Sequence, residues 1–535
     1  MRVAIEGGKS LVVNQLTGAV LIVDDAWWDQ LGLGWIERPI APETLPDCPC
    51  HYGDVLAKRP DLMSAKELHL FGDKDGMDFF LTRKRYQRYL DRITAFGERF
   101  AHERQTTFFV TPQTQKTGCP LDCVYCFQKK AEPQAERLIE EGNVPAIEHF
   151  IRRYRDAKAL RDERICIQLF GGEPVQARFY EFWRRILEMV KRNGWRWTPV
   201  TSGATFTPEF FDLFEEFAPY GLQEFNITFD AVPEGQNLLR PFKSGQGTHA
   251  AIKANVNELL RRGLPVKIKT VLGRDNIRHY RQHLSNMMEW GWHRGNMVIE
   301  TNVVFPFGGT DTRGQAIPED DVVLEVVAAF RDEPFRELIP IIRTEGKKLT
   351  GYLANAFGLP FPQSEALRRG KPVFEAYPYH AFCNPGKGVT YNIAPDGTLR
   401  TCNWMDGREG FGEGNIFDPA LNVAELGRYR SFVSCHPHCS KCDISTLCGG
   451  SCAIDIQQAP SSHYLHCREN YGGVIERFVR GCISRGWVDA SLGERPYKVL
   501  RTSFDFDYRY RDRFDAGSRI SDPHQLAAMA GYGTD

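Results

Sequence analysis

Between residues 106 and 306 the chain repeats one pattern six times: a short apolar or β-branched run, then a segment long enough for a helix. The expected strands are Thr107–Pro112, Arg164–Phe170, Trp195–Ser202, Glu224–Phe229, Val266–Val271 and Met297–Phe305. Between them, stretches such as FYEFWRRILEMVKR and HAAIKANVNELLRRG place apolar residues at helical spacing. Strands separated by whole helices cannot pair as tight hairpins; they form a parallel sheet through right-handed crossover units. Six such units fall short of the eight that close a full barrel. The expected fold class is α/β, with an open, partial (β/α)6 barrel.

The flanks read differently. Residues 1–80 form a small N-terminal α+β module, in which SLVVNQLTGAVLIVDDAWWDQL gives two strands joined at Asn14–Gly18 and a helix from Asp24 or Asp25. A helical linker (81–105, with a charged stretch at Arg83–Phe100) leads into the barrel at 106–317, and a helical connector follows at 318–377. Residues 378–485 hold nine of the 15 cysteines, many glycines and little periodic apolar sequence. Such a region has too small a core of its own and calls for bound metal. The tail, 486–535, is rich in Arg, Asp, Tyr and Phe and has no assigned role. No internal repeat or low-complexity tract interrupts the chain.

The formal net charge is −1, which provides no overall field to attract nucleic acid or an anionic membrane. No apolar run approaches the ~18 residues of a membrane span. The opening MRVAIEGGKSLVV lacks the features of a secretory signal. A cytoplasmic location is expected, where thiols stay reduced and clustered cysteines point to metal before disulfides.

Cys119, Cys123 and Cys126 form C-x3-C-x2-C in KTGCPLDCVYCFQ, on a loop just after the first barrel strand. Ligands of parallel α/β sheets gather at that edge. Three thiolates suit a [4Fe–4S] cluster with one iron lacking a cysteine. Zinc would ask for four ligands and favours paired C-x2-C knuckles, and no fourth ligand is nearby. At this cysteine frequency the triplet arises by chance in about 1 chain in 100. The second strand ends in LFGGEP, where Gly171 and Gly172 allow close backbone approach and Glu173, before Pro174, can accept hydrogen bonds from an ammonium group. On its own that segment is equally a tight turn. Ser202 ends the third strand, and ITFDA, with Thr228 and Asp230, ends the fourth; on their own Ser202 and Thr228 are equally simple strand caps.

The second cysteine field is denser. Cys439, Cys442, Cys448 and Cys452 read C-x2-C-x5-C-x3-C, preceded by Cys383, Gly397, Cys402 and Cys435 and followed by Cys467. The four-cysteine run is expected by chance in about 3 chains in 10,000. A zinc ribbon that merely braces the region is the bland reading. Cys166, inside a strand, and Cys482, in a helical stretch, belong to the core, and Cys48 and Cys50 are too few to bind metal alone.

Together these motifs resemble the radical SAM superfamily. The resemblance implies that Cys119, Cys123 and Cys126 hold the cluster while S-adenosylmethionine chelates its open iron and is reductively cleaved to a 5′-deoxyadenosyl radical. It sets Tyr125 beside the adenine, Gly171–Gly172–Glu173–Pro174 at the methionine amine, and Thr228 and Ser202 near the cofactor carboxylate. The second field resembles a SPASM domain, which carries two auxiliary [4Fe–4S] clusters, making three in all. By position, one takes Cys439, Cys442, Cys448 and Cys467. The other takes Cys383, Cys402 and Cys452, with Cys435, His380 or an open iron completing it. The stretch TFDAVPEGQNLLRPFKSGQGTH resembles a loop of peptide-acting members, although Ala231, Gln236 and His249 replace the commoner glycine, histidine and aromatic.

The N-terminal hairpin and helix resemble the leader-binding opening of maturases for ribosomally made peptides. An extended leader can add a strand to an exposed sheet edge; a packing module or lid is the alternative. The implied function is a peptide maturase that abstracts hydrogen from a precursor peptide, giving a thioether, a carbon–carbon link or a rearranged backbone. Its partners would be that leader-bearing peptide and an electron donor such as flavodoxin or ferredoxin. A formylglycine-forming sulfatase-maturating enzyme is the nearest rival. A non-catalytic iron–sulfur or zinc scaffold is the distant one.

Overall fold

In the computed structural model the described residues are 2–13, 20–30, 105–113, 118–126, 128, 141–230, 232–304, 314–344, 350, 353–354, 357–361, 390–402, 413–426 and 473–501. The linker 81–104 and every cysteine of the second field except Cys402 and Cys482 lie outside them, as do Cys48 and Cys50.

The six barrel strands form where the alternation put them. They are β4 (Thr106–Val110), β5 (Ile165–Leu169), β6 (Arg196–Thr201), β7 (Phe225–Thr228), β8 (Val266–Leu272) and β9 (Met297–Val303). They lie side by side in chain order, all parallel. Two-residue periodicity is visible in the burial: in β8 Val266, Ile268, Thr270 and Leu272 are buried while Lys267, Lys269 and Val271 face the other side, half-buried. The sheet extends further than six strands. β10 (Ile342–Thr344) adds in parallel outside β9, and β11 (Thr390–Ile393) adds in parallel outside β4. β12 (Thr398–Arg400) and β13 (Gly414–Asn415) continue it antiparallel. The cysteine-rich region thus contributes strands to the barrel sheet itself, and Cys402 follows β12, which runs antiparallel to β11 and so leaves the sheet at the end opposite to the loop after β4.

Helices cover the outer face. In α2 (Val144–Ala157) and α3 (Tyr180–Asn193) the buried residues recur every third or fourth position: Phe182, Trp183, Ile186, Leu187, Met189 and Val190 in the second. α4 (Pro208–Phe217) adds Phe210, Phe211, Leu213, Phe214 and Phe217. Phe214 meets Trp183 edge-on at 5.0 Å and Phe225 of β7 at 5.2 Å, locking helix layer to sheet. The circuit is completed by α5 (Pro233–Leu239), α6 (His249–Arg261), α7 (Tyr280–Glu289) and α8 (Glu319–Phe330). No helix among the described residues is long and apolar enough to cross a membrane.

The N-terminal hairpin forms as expected from β2 (Lys9–Val13) and β3 (Val20–Asp24), followed by α1 (Asp25–Gln30), with β1 (Arg2–Ile5) added ahead of it. Its fourth strand comes from the far end of the chain. β14 (Tyr497–Arg501) pairs antiparallel with β3, Asp24 N–H donates to the Pro496 carbonyl at 2.8 Å, and Trp27 stacks on Tyr497 at 5.2 Å. α9 (Val474–Ser484) packs between this sheet and α8, with Arg477 forked onto buried Asp320 at 2.9 and 3.0 Å. Removing residues 496–535 should therefore speed hydrogen exchange in the 20–24 segment while leaving β5–β8 protected. Unchanged protection of β3 would contradict the pairing.

A candidate active site at the C-terminal ends of the strands

Every site residue among the described ones arrives by way of a strand end. The loop that leaves β4 carries Cys119, buried, and Cys123 and Cys126, half-buried. It is stitched, backbone to backbone, onto the segment that follows α5. Asp122 N–H donates to Pro241 O and Val124 N–H to Leu239 O, each at 2.8 Å, and Lys243 N–H donates to Pro120 O at 2.7 Å. Leu121 and Phe242 form an antiparallel bridge in the same place.

That stitch holds Arg240 against the cysteines. The side chain is 7% exposed, its Nη1 reaches the Tyr125 hydroxyl at 3.4 Å, and its Nε has no hydrogen-bond partner among the described residues. Burial works against its charge, but Cys123, Asp230, Glu173 and Cys126 more than offset this and hold the pKa above the usual arginine value. Burial pushes the Cys119 thiol up, and Glu173 adds to that, while the Leu121 N–H favours the thiolate.

Glu173, 1% exposed, is held at both oxygens. Oε1 accepts from Thr201 Oγ1 at 2.6 Å and from Val175 N–H at 2.9 Å; Oε2 accepts from Ser202 N–H at 2.7 Å and from the Ser202 hydroxyl. Burial still raises its pKa, with these four donors pulling the other way. A desolvated carboxylate of this kind favours a cation beside it. The turn before it needs glycine: Gly171 sits at φ 98°, and a Cβ there would collide with Thr111 and come 2.9 Å from the Gln113 carbonyl oxygen. Gly172 N–H donates to Gln128 Oε1 at 2.8 Å, and the Trp183 indole donates to Pro174 O at 2.9 Å.

Asp230, fully buried after β7, accepts the Val271 N–H at Oδ1 (2.8 Å), while Oδ2 has no partner among the described residues. Burial pushes its pKa up to about 6, against Arg240, the Val271 N–H and Lys269. The loop that follows is fixed by a buried relay. Asp230 N–H donates to Gln236 Oε1 (2.7 Å), Gln236 Nε2 to Thr248 Oγ1 (2.9 Å), and Thr248 Oγ1 to Arg240 O (2.8 Å). Gln236, which departs from the commoner histidine, thus has the donor and the acceptor this relay requires. Thr228 lies half-buried beside Lys269, which pairs in turn with Glu300. Lys269 and Lys267 approach the Glu300 carboxylate at 3.6 and 3.2 Å, so the inner wall below the site is charged.

Cys119, Cys123, Cys126, Tyr125, Glu173 and Ser202 therefore gather at one end of the sheet. Ser202, expected near a cofactor carboxylate, spends its hydrogen bonds on Glu173. Arg240, Gln113, Gln128 and Gln236 had no assigned role in the sequence reading, because each acts through a loop whose path is set by distant residues. Cys166 and Cys482 are buried, as expected of core residues.

The donor set fits an iron–sulfur cluster and a zwitterionic ligand. Among the described residues no three His, Cys, Asp or Glu side chains converge on a single metal ion. A cluster, whose irons each take their own thiolate, asks instead for spread cysteines. The buried Arg240 Nε beside them is a donor with no acceptor among the described residues. Glu173→Gln should raise the S-adenosylmethionine dissociation constant about tenfold or more without changing bound iron, as equilibrium binding to anaerobic protein would show. Wild-type affinity in that variant would remove Glu173 from the site.

Residues 116–287 match the Radical SAM superfamily model. No curated protein matches the chain. Among solved structures, native anSMEcpe with bound AdoMet aligns at 15% identity and TM-score 0.50, covering 71% of this chain and 99% of that one. The same protein with AdoMet and Cp18Cys peptide aligns at 14% and 0.50, covering 72% and 100%. Streptococcus suis SuiB bound to precursor peptide SuiA aligns at 13% and 0.45, covering 86% and 97%. At these identities the likeness is one of fold. The matched segment spans the cysteine loop, the Gly-Gly-Glu-Pro turn and the stitched Arg240 segment, and marks residues 116–287 as a radical SAM domain.

Proposed function

We propose that this enzyme is a peptide maturase that abstracts hydrogen from an unactivated carbon of a ribosomally made precursor. The observation that carries the reading is the stitched loop, which brings three cysteines and a buried arginine to the same end of the sheet as the buried Glu173. When bound, the cluster and S-adenosylmethionine supply an electron and a hydrogen-abstracting adenosyl fragment. The chain's own residues bind and orient. Cys119, Cys123 and Cys126 hold the cluster and leave one iron open. Glu173, with Gly171, Gly172 and Pro174 shaping its turn, receives the amine. Arg240 offers its Nε to the carboxylate, and Tyr125 lies beside the adenine. Thr228 and Ser202 line the same wall, the second by holding Glu173.

The peptide assignment is supported by the second cysteine field and by the peptide bound in the anSMEcpe structure of like fold. In this reading Cys439, Cys442, Cys448 and Cys467 hold one auxiliary cluster. Cys383, Cys402 and Cys452 hold the other, with Cys435, His380 or an open iron. Flavodoxin or ferredoxin supplies the electron. The thioether, carbon–carbon and rearranged-backbone products all follow from the same first abstraction. Oxidation of one Cys or Ser to formylglycine shares that step and is the second reading. A leader strand adding to the N-terminal sheet would join outside β1 or outside β14, because β14 already covers the β3 edge.

Protein purified without oxygen should hold about 12 iron atoms per chain if all three clusters are [4Fe–4S]. Cys123→Ala should abolish 5′-deoxyadenosine formation. Cys439→Ala should spare it and impair turnover of the precursor peptide. Zinc in place of iron, or no adenosyl product from the reduced wild-type protein, would overturn the assignment.

A further inference from the structure

The groups that hold the glutamate turn and those that hold the cysteine loop meet in two side chains. Gln113, fully buried just past β4, donates from Nε2 to the Glu173 carbonyl at 2.8 Å. Its Oε1 accepts from Arg178 Nη2, and that same nitrogen donates to the Gly118 carbonyl at 3.1 Å, one residue before Cys119. Contact there is close. A Cβ on Gly118, at φ 155°, would overlap the Arg178 guanidinium. The guanidinium also lies 4.7 Å from the centre of the Phe179 ring, which restrains an otherwise exposed side chain. On the far side of the loop, Gln128, two residues after Cys126, accepts the Gly172 N–H. The glutamate turn is thus bracketed by one bridge from before the first cysteine and one from after the last.

We propose that Gln113 and Arg178 are positioning residues that couple the seat of the cofactor amine to the cysteine loop, so that cluster and S-adenosylmethionine are held at bonding distance together. This rests on the reading of Cys119, Cys123, Cys126 and Glu173 given above. The backbone stitch to residues 239–243 anchors the loop on the Arg240 side. The Gln113–Arg178 bridge ties the end that carries Cys119 to the Glu173 turn. The cysteines themselves are untouched by these substitutions, so the cluster should still assemble.

The test uses the full chain, reconstituted without oxygen, as wild type, Arg178→Ala, Arg178→Lys and Gln113→Glu. Gln113→Glu keeps an acceptor for Arg178 but loses the donor to Glu173. Three quantities are read: iron per chain, the S-adenosylmethionine dissociation constant, and the change in cluster reduction potential when S-adenosylmethionine is added. All variants should hold wild-type iron. Arg178→Ala and Gln113→Glu should bind S-adenosylmethionine about tenfold more weakly, with a smaller cofactor-induced change in potential. Arg178→Lys should recover part of both. Wild-type affinity and potential change in the Ala and Glu variants would overturn the coupling, as would iron lost in step with affinity, which would mark a role in loop folding alone. A wild-type chain that binds no S-adenosylmethionine would overturn the underlying site reading, and the coupling with it.

Discussion

A carboxylate removed from water must be surrounded by donors or give up its charge. Glu173 is that group here, and much of the site is built around it. Its donors come from two places: Val175 on its own turn, and Thr201 and Ser202 at the end of β6. Its backbone carbonyl is held from Gln113 and Gln176, and its flanking Gly172 from Gln128. Fixing one carboxylate thereby ties the ends of β4, β5 and β6 to one another. Burial still raises its pKa despite these donors, so a cation beside it would stabilise the charged form.

The opposite side of the mouth is built on the same logic with the sign reversed. Arg240 is buried by a backbone stitch rather than by side-chain packing, so its position depends on the path of the 230–248 loop. The Asp230–Gln236–Thr248 relay sets that path with bonds of 2.7 to 2.9 Å, buried and therefore hard to replace piecemeal. A zwitterion offers an ammonium and a carboxylate a short distance apart. In the function proposed above, Glu173 would receive one and Arg240 the other.

Most of the barrel was legible from periodicity alone. Each of the six expected strands forms within two residues of its expected ends, because an apolar face packed under helices leaves a clear two-residue alternation. β10, β11 and β12 were not legible: three or four residues long, they join the sheet through non-local pairing that leaves little local trace. β14 was missed for a related reason. Its partner β3 lies more than 450 residues earlier in the chain, and no local signal connects the tail to the N-terminal hairpin. In the site, the cysteines and the Gly-Gly-Glu-Pro turn could be read because their chemistry resides in the residue types. Arg240, Gln113 and Arg178 could not, since their roles come from where loops cross. Ser202 ends β6 and bonds Glu173, as a strand-end hydroxyl takes whichever acceptor the fold brings to it.

The central claim is that one iron at the barrel mouth is left without a protein ligand and is open to S-adenosylmethionine. Electron paramagnetic resonance of the reduced, anaerobic protein tests it most directly. A reduced [4Fe–4S] signal that changes its g-values on addition of S-adenosylmethionine is the expected result, and the change should be absent with 5′-deoxyadenosine, which lacks the amino and carboxylate groups. A signal indifferent to the nucleotide, or no iron signal at all, would contradict the account.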